Sequence, residues 1–110
     1  MFYSSPKKDA LSYAHLSYLS ERLTDEETWE KVLSVGEQQK LMLARVFLHR
    51  PLLVFLDEST SALPEEDEEN IYQAMIDLGV QIISVAHRTN LRKFHDRFLE
   101  LKPNGLYEFY

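Results

Sequence analysis

Apolar residues recur along this chain with two periods, and the change of period marks its elements. In residues 9–23, Leu11, Ala14 and Tyr18 fall at helical spacing and Leu19 widens the stripe, which predicts a helix with one buried face. Thr24-Asp25-Glu26-Glu27 has the form of a capping box, opening a short helix that carries Trp29. Ser34-Val35-Gly36-Glu37 repeats that form: the Ser34 hydroxyl can accept from the Glu37 amide while the Glu37 carboxylate reaches back to the Ser34 amide. The helix it opens should run to about His49 and stop before Pro51. At residues 52–56 the pattern becomes a continuous run, Leu-Leu-Val-Phe-Leu, expected of a strand buried on both faces of a parallel sheet. Pro64 suits the first turn of another helix, and Glu65-Glu66-Asp67-Glu68-Glu69 complements its dipole. Ile71, Ala74, Met75 and Leu78 give that helix its stripe, and Gly79 is a natural stop. A second buried strand is predicted over 80–85 and a short helix around 91–95. A hairpin turned by Pro103-Asn104-Gly105 should join strands near 97–101 and 106–109.

Strand, helix, strand with apolar strands predicts an α/β architecture with a parallel sheet. The expected organisation is one truncated domain: a helical lobe over 1–50, ending in the helix that starts after Ser34, and an α/β part over 51–110. At 110 residues there is room for one domain at most. The net charge of −6 argues against a nucleic-acid partner, which needs clustered Lys and Arg. The chain has no cysteine, which removes disulfides, thiolate zinc sites and thiol catalysis. No apolar run approaches the roughly 20 residues of a membrane helix, and Met1-Phe2-Tyr3-Ser4-Ser5-Pro6 lacks the features of a secretory signal. Contact with a membrane is therefore expected through a partner.

Three places carry candidate chemistry. Asp57 and Glu58 close the first apolar strand, and a carboxylate at a strand's C-terminal end projects into the crevice where α/β sheets bind ligands. The plainer alternative is two acids meeting solvent. Ser34 and Gly36 open a helix, where a hydroxyl and small-residue amides form a ready anion site; the alternative is an ordinary cap worth ~1 kcal/mol. His87 follows the second strand, 29 residues after Glu58 and next to Arg88, and a structural histidine is the alternative there. His15, His49 and His95 show no metal-ligand spacing and are expected to be structural or exposed. Arg45, Arg88, Arg92, Lys93 and Arg97 read as solvated or salt-bridging side chains, with no role assigned.

In this order and spacing, Leu33-Ser34-Val35-Gly36-Glu37-Gln38-Gln39, Leu52-Leu53-Val54-Phe55-Leu56-Asp57-Glu58, Ser61-Ala62-Leu63 and Ser84-Val85-Ala86-His87 resemble the second half of an ATP-binding cassette, the motor domain of ABC transporters. The resemblance spans roughly residues 29–101 and implies part of a P-loop NTPase-type parallel sheet. It implies that Asp57 stands on the Mg2+ side of a Walker B strand, acting through water, that Glu58 is the general base, and that His87 is the switch histidine. Ser34, Gly36 and Glu37 would serve the ATP of the opposite subunit in a head-to-tail dimer of cassettes. The chain departs from the family pattern at Val35, which replaces a glycine, at Glu37, which replaces a glutamine, and at Pro64, which stands where the D-loop begun by Ser61-Ala62-Leu63 carries Asp. Leu-Ser-x-Gly-Glu-Gln-Gln with an upstream Trp, together with Phe94-His95-Asp96-Arg97, is similar to the peroxisomal fatty-acyl transporters and their bacterial relatives.

A phosphate-binding loop needs Gly-x-x-x-x-Gly-Lys, and none of Gly36, Gly79 and Gly105 precedes a lysine. The expectation is a truncated cassette that binds ATP and Mg2+ only in a complete composite site, on the cytoplasmic side of a membrane, beside a second cassette and a transmembrane domain. An uncovered sheet face is expected to expose an apolar patch. A non-catalytic half-cassette that pairs with intact ones is the alternative. A soluble DNA-repair type of ABC ATPase is disfavoured by the acidic charge and by Ala86-His87-Arg88.

Overall fold

The computed structural model describes residues 6–22 and 25–109. Helix α1 spans Pro6–Tyr13 and buries Ala10 and Leu11. The continuous helix expected over 9–23 does not form. His15 takes a left-handed backbone (φ 62°), the Leu16 amide donates to the Leu11 carbonyl at 2.7 Å, and the His15 amide donates to the Ser12 carbonyl at 3.0 Å. This closing motif swings Leu16, off the predicted stripe, into the core beside Leu11. A 3-10 turn over Ser17–Arg22 follows, burying Leu19 and leaving Tyr18 exposed.

The capping box expected at residues 24–27 begins on Thr24, which lies outside the described residues. Asp25 and Glu27 both bond the Arg22 guanidinium at 2.9 Å. The short helix α2 starts later, at Trp29–Val32, after Thr28, which makes no side-chain cap. Helix α3, Val35–His49, has both bonds of the Ser34–Glu37 capping box and ends at Arg50 in a left-handed conformation, one residue before Pro51. Its buried Leu43, Ala44 and Phe47 face α1, where Phe47 stacks on Tyr13 with ring centroids 5.2 Å apart.

Strand β1 (Leu53–Asp57), helix α4 (Glu65–Asp77) and strand β2 (Gln81–Val85) form a parallel crossover unit, in register from Leu53 opposite Gln81 to Asp57 opposite Val85. Gly79 (φ 82°) ends α4 with the same motif that ends α1: the Val80 amide reaches the Met75 carbonyl at 3.1 Å, and both side chains are buried. Only one face of the β1–β2 pair is covered, which corrects the expectation of strands buried on both. Val54, Leu56 and Ile82 pack into the core, whereas Phe55 is 71% and Val85 58% exposed, with Leu53 and Ile83 beside them. The apolar patch expected of a partial sheet is this open face. A 3-10 segment over Thr89–Phe94 packs on α4, and Leu91 joins the core. Strands β3 (Leu99–Leu101) and β4 (Tyr107–Phe109) pair antiparallel around Asn104 and Gly105, both at positive φ. This makes the hairpin's first arm shorter than expected. No helix among the described residues is long and apolar enough to cross a membrane.

Candidate functional site

Parallel pairing decides where the acids and the histidine meet. Because Asp57 stands opposite Val85, Glu58 and His87 leave the sheet at the same edge. The Glu58 amide still donates to the Val85 carbonyl at 2.8 Å, so the ladder extends one step past β1. Glu58 itself has φ 51°, a left-handed conformation that costs a residue with a Cβ about 1–2 kcal/mol. The turn re-aims the side chain, and Glu58 Oε1 lies 2.6 Å from His87 Nε2. Both groups are open to solvent, the His87 side chain at 90%. Asp57 is exposed at the last position of β1. Among the described residues no three Asp, Glu, His or Cys side chains converge as a metal cage. Hard carboxylate oxygens on adjacent residues suit a Mg2+ ion that keeps most of its waters, which needs only one or two such ligands.

The second cluster opens α3. Ser34 Oγ accepts from the Glu37 amide at 3.1 Å, and Glu37 Oε1 accepts from the Ser34 amide at 3.0 Å. Glu37 Oε2 accepts from the Tyr18 hydroxyl, which arrives from the preceding 3-10 turn. That phenol, and then the Ser34 amide, hold the Glu37 carboxyl below its ordinary value. Lost hydration at the junction, with the adjoining Glu37 carboxylate, pushes the Tyr18 phenol up to about 12. A Cβ on Gly36 would stand 3.1 Å from the Ala62 carbonyl oxygen, so absence of a side chain lets the helix start lie against the turn 61–63.

That turn joins the two clusters, which do not touch directly through the bonds of Glu37 or Glu58. Gln39, one turn into α3, donates to Ser61 Oγ (3.1 Å) and the Glu58 carbonyl (3.4 Å), and accepts from the Ala62 amide (2.9 Å). From the other side the Arg88 guanidinium donates to the Ser61 and Leu63 carbonyls, both at 2.7 Å. Arg88 also reaches Glu68 Oε1 at 3.4 Å. Glu68 is 1% exposed and accepts in addition from Thr60 and from Asn90 Nδ2 at 3.0 Å.

Sequence reasoning passed over Arg88 and Glu68. The position of Glu68 carried a signal, since residues 68, 71, 72 and 75 form one i, i+3, i+4, i+7 stripe. Pro64 sits at the N-cap of α4 and supplies no side-chain cap. His95 is structural: Nδ1 donates to the Leu91 carbonyl (2.8 Å), and Nε2 meets Ser84 Oγ (2.9 Å). His15 lies 3.5 Å from Asp67, which Lys40 also pairs at 3.0 Å.

The ABC transporter family profile matches residues 4–61, just over half of the chain. An uncharacterized ABC transporter ATP-binding protein of Synechocystis sp. is 45% identical over 103 residues, which is 91% of this chain and 16% of that protein. The ABC transporter D family member 2, chloroplastic, of Arabidopsis thaliana is 49% identical over 73 residues, 66% of this chain and 10% of its own length. The lysosomal cobalamin transporter of Mus musculus is 48% identical over 80 residues, 73% of this chain and 13% of its own. The chain thus spans about a sixth or less of the curated relatives it matches.

Proposed function

The chain belongs to the ABC transporter family, and on that premise we propose that it forms the C-terminal part of an ATP-binding domain whose ATP hydrolysis drives transport across a membrane. The Glu58–His87 contact of 2.6 Å at the shared edge of β1 and β2 carries this reading. Hydrolysis needs a group that orients or deprotonates the attacking water, and a carboxylate held by an imidazole at the crevice edge supplies one. Glu58 takes the water's proton and His87 keeps the carboxylate aimed. Mg2+, when bound beside Asp57, neutralises phosphate charge. The start of α3 at Ser34 and Gly36, where the capping box orders the first turn, would bind the phosphates of ATP held by a second cassette. Glu37, tied back to Ser34 and Tyr18, keeps its charge within the cap rather than toward that anion. In this reading residues 1–50 are the helical lobe and 51–110 belong to the ATPase core, on the cytoplasmic side of a transporter's transmembrane domain.

The test is Glu58→Gln in a cassette completed by a phosphate-loop segment. Turnover should fall by about 10²–10⁴-fold while nucleotide binding persists. Equal loss of binding and turnover would assign Glu58 a folding role instead. Alone, the 110-residue chain should bind ATP negligibly.

A second reading rests on Pro64, which leaves α4 without a side-chain cap where the family carries a carboxylate. Here the chain is a non-catalytic partner that presents its Ser34–Gly36 segment to intact cassettes. Failure to capture any complete cassette, with or without ATP, would count against it.

A further inference from the structure

The turn that follows Glu58 is gripped from both sides by side chains that the hydrolysis chemistry does not use. Its backbone polar groups do not depend on local bonds alone. Gln39 of α3 satisfies the Ala62 amide and holds Ser61 Oγ. Arg88, from the segment after β2, satisfies the Ser61 and Leu63 carbonyls. We propose that Arg88 and Gln39 are positioning residues that clamp the turn 58–63, so that the helix start at Ser34–Gly36 and the Glu58–His87 pair move as one unit. The kinetic half of this proposal rests on the ATPase reading above; the mechanical half does not.

The residue types fit the task. Two carbonyls two residues apart need a rigid planar fork, which a guanidinium provides and a lysine ammonium does not. Gln39 must donate and accept at once at separate points of the turn, which the NH2 and carbonyl oxygen of an amide on a two-methylene stem provide. Arg88 is itself steadied by the buried Glu68, whose carboxylate Thr60 and Asn90 also hold. Arg88 directly follows His87, so the clamp on its side chain also limits the backbone that carries the imidazole. On the other side, Gly36 lies against the same Ala62 peptide that Gln39 grips, so close that an added Cβ would stand 3.1 Å from its carbonyl oxygen. A push on the start of α3 is therefore delivered to the Ala62 peptide, and through the turn to Glu58. This is a chain of packed and hydrogen-bonded groups, the kind of connection that energetic coupling requires.

Amide hydrogen exchange on the whole 110-residue chain tests the clamp. Gln39→Ala and Arg88→Lys should each speed exchange at Ser61 and Ala62 about tenfold, with the α4 amides unchanged. Rates within about twofold of the parent in both variants would overturn the clamp. Arg88→Lys keeps a cation beside the buried Glu68; if that variant still unfolds, the uncharged Gln39→Ala change decides the matter. In a cassette completed by a phosphate-loop segment, Arg88→Lys and Gln39→Ala should lower kcat about tenfold and leave KM for ATP unchanged. A loosened turn with unaltered kcat would overturn the positioning role. Absence of hydrolysis in the parent cassette would instead sink the ATPase reading, and the exchange rates would still judge the clamp.

Discussion

Removing the Glu68 carboxylate should be among the most damaging single changes in the α/β part of this chain. The side chain is 1% exposed and collects donors from Thr60, Asn90 and Arg88. In Glu68→Ala all three lose an acceptor at once. Arg88 is a third exposed and keeps two carbonyls, so it recovers most of its loss from water. Thr60 is buried and Asn90 keeps Glu69 at 3.3 Å, so the Thr60 hydroxyl is the donor that loses most. Leaving the buried Thr60 and part-buried Asn90 donors short of an acceptor, each at about 1–3 kcal/mol, together with the cavity the side chain leaves, costs about 3–5 kcal/mol. Against a total stability of about 5–15 kcal/mol this is a large share, and at this chain length it lowers Tm by more than about 10 °C. Glu68→Gln separates charge from shape. Its carbonyl oxygen can still serve Thr60, but its new NH2 opposes the Asn90 amide. Asn90 can turn to meet it, because Asn90 Oδ1 is buried with no partner among the described residues. That variant should lose about 1–2 kcal/mol, less than half as much. Glu66→Ala, two positions away in the same acidic run and exposed, should stay within about 0.5 kcal/mol of the parent. Urea and thermal unfolding followed by circular dichroism give all three values. A Glu68→Ala cost below about 1 kcal/mol would show that the network does not organise this part of the fold.

Three other outcomes follow from the same contacts. Gly36→Ala gains up to about 1 kcal/mol of helix propensity, but its Cβ meets the Ala62 oxygen at 3.1 Å on a turn held from both sides. A net loss of about 1 kcal/mol is expected from urea titration, and a gain would mean the turn yields. The Glu37 carboxyl is held below its unfolded value of about 4.3 by Tyr18 and Ser34. Its contribution is complete above that value and disappears as pH falls through the lower, folded one. Glu37→Gln should therefore lose less stability than the parent between about pH 5 and 3, with Asp67 and Glu69 supplying the remaining acid sensitivity; parallel curves would discard this assignment. Lysines at Phe55 and Ile83, on the open sheet face, should reduce self-association in sedimentation experiments while moving Tm little; unchanged association would place the adhesive surface elsewhere.

What the sequence revealed and what it hid divide along physical lines. Capping chemistry is local, so Ser34–Glu37, the stop before Pro51 and the Gly79 end of α4 all follow from neighbouring residues. The parallel unit follows from two apolar runs flanking a periodic helix. The misplaced helix over 9–23 has a different origin. Leu16 competes with the stripe for the core, and His15 accepts a left-handed backbone to let it in, a tertiary preference that propensity does not encode. Strand burial was misjudged because a hydrophobic run reports what could be covered, while the structure shows Phe55 and Val85 open. In the candidate site, Asp57, Glu58 and His87 stand out by their place at strand ends. Gln39 and Arg88 do not, since each acts on backbone groups 19 to 27 residues away. Only the burial stripe through residue 68 hinted at the network beneath them.

That division bears on how the edge of the sheet is held. Two strands with one covered face are marginal by themselves, since a two-stranded sheet needs packing from elsewhere to persist. In this chain β1 and β2 receive it from α4 through Ile71, Tyr72 and Met75. Toward the strands' C-terminal ends, apolar packing gives way to polar bonds: Tyr72 to Ser84 at 2.9 Å, then Thr60, Glu68, Asn90 and Arg88. Those bonds lie where Glu58 adopts its left-handed turn and His87 departs. An apolar contact at that edge would tolerate sliding, whereas a fork on two carbonyls and an amide on one peptide fix position and angle together. The strain at Glu58 is sustained because bonds from three elements hold it and its turn: its own amide goes to Val85 of β2, its carbonyl accepts from Gln39 of α3, and Arg88 holds the Ser61 carbonyl. The polar network thus performs at the sheet's C-terminal end the restraint that neighbouring strands perform in the middle of a larger sheet, and it does so where the Glu58 carboxylate and the His87 imidazole meet.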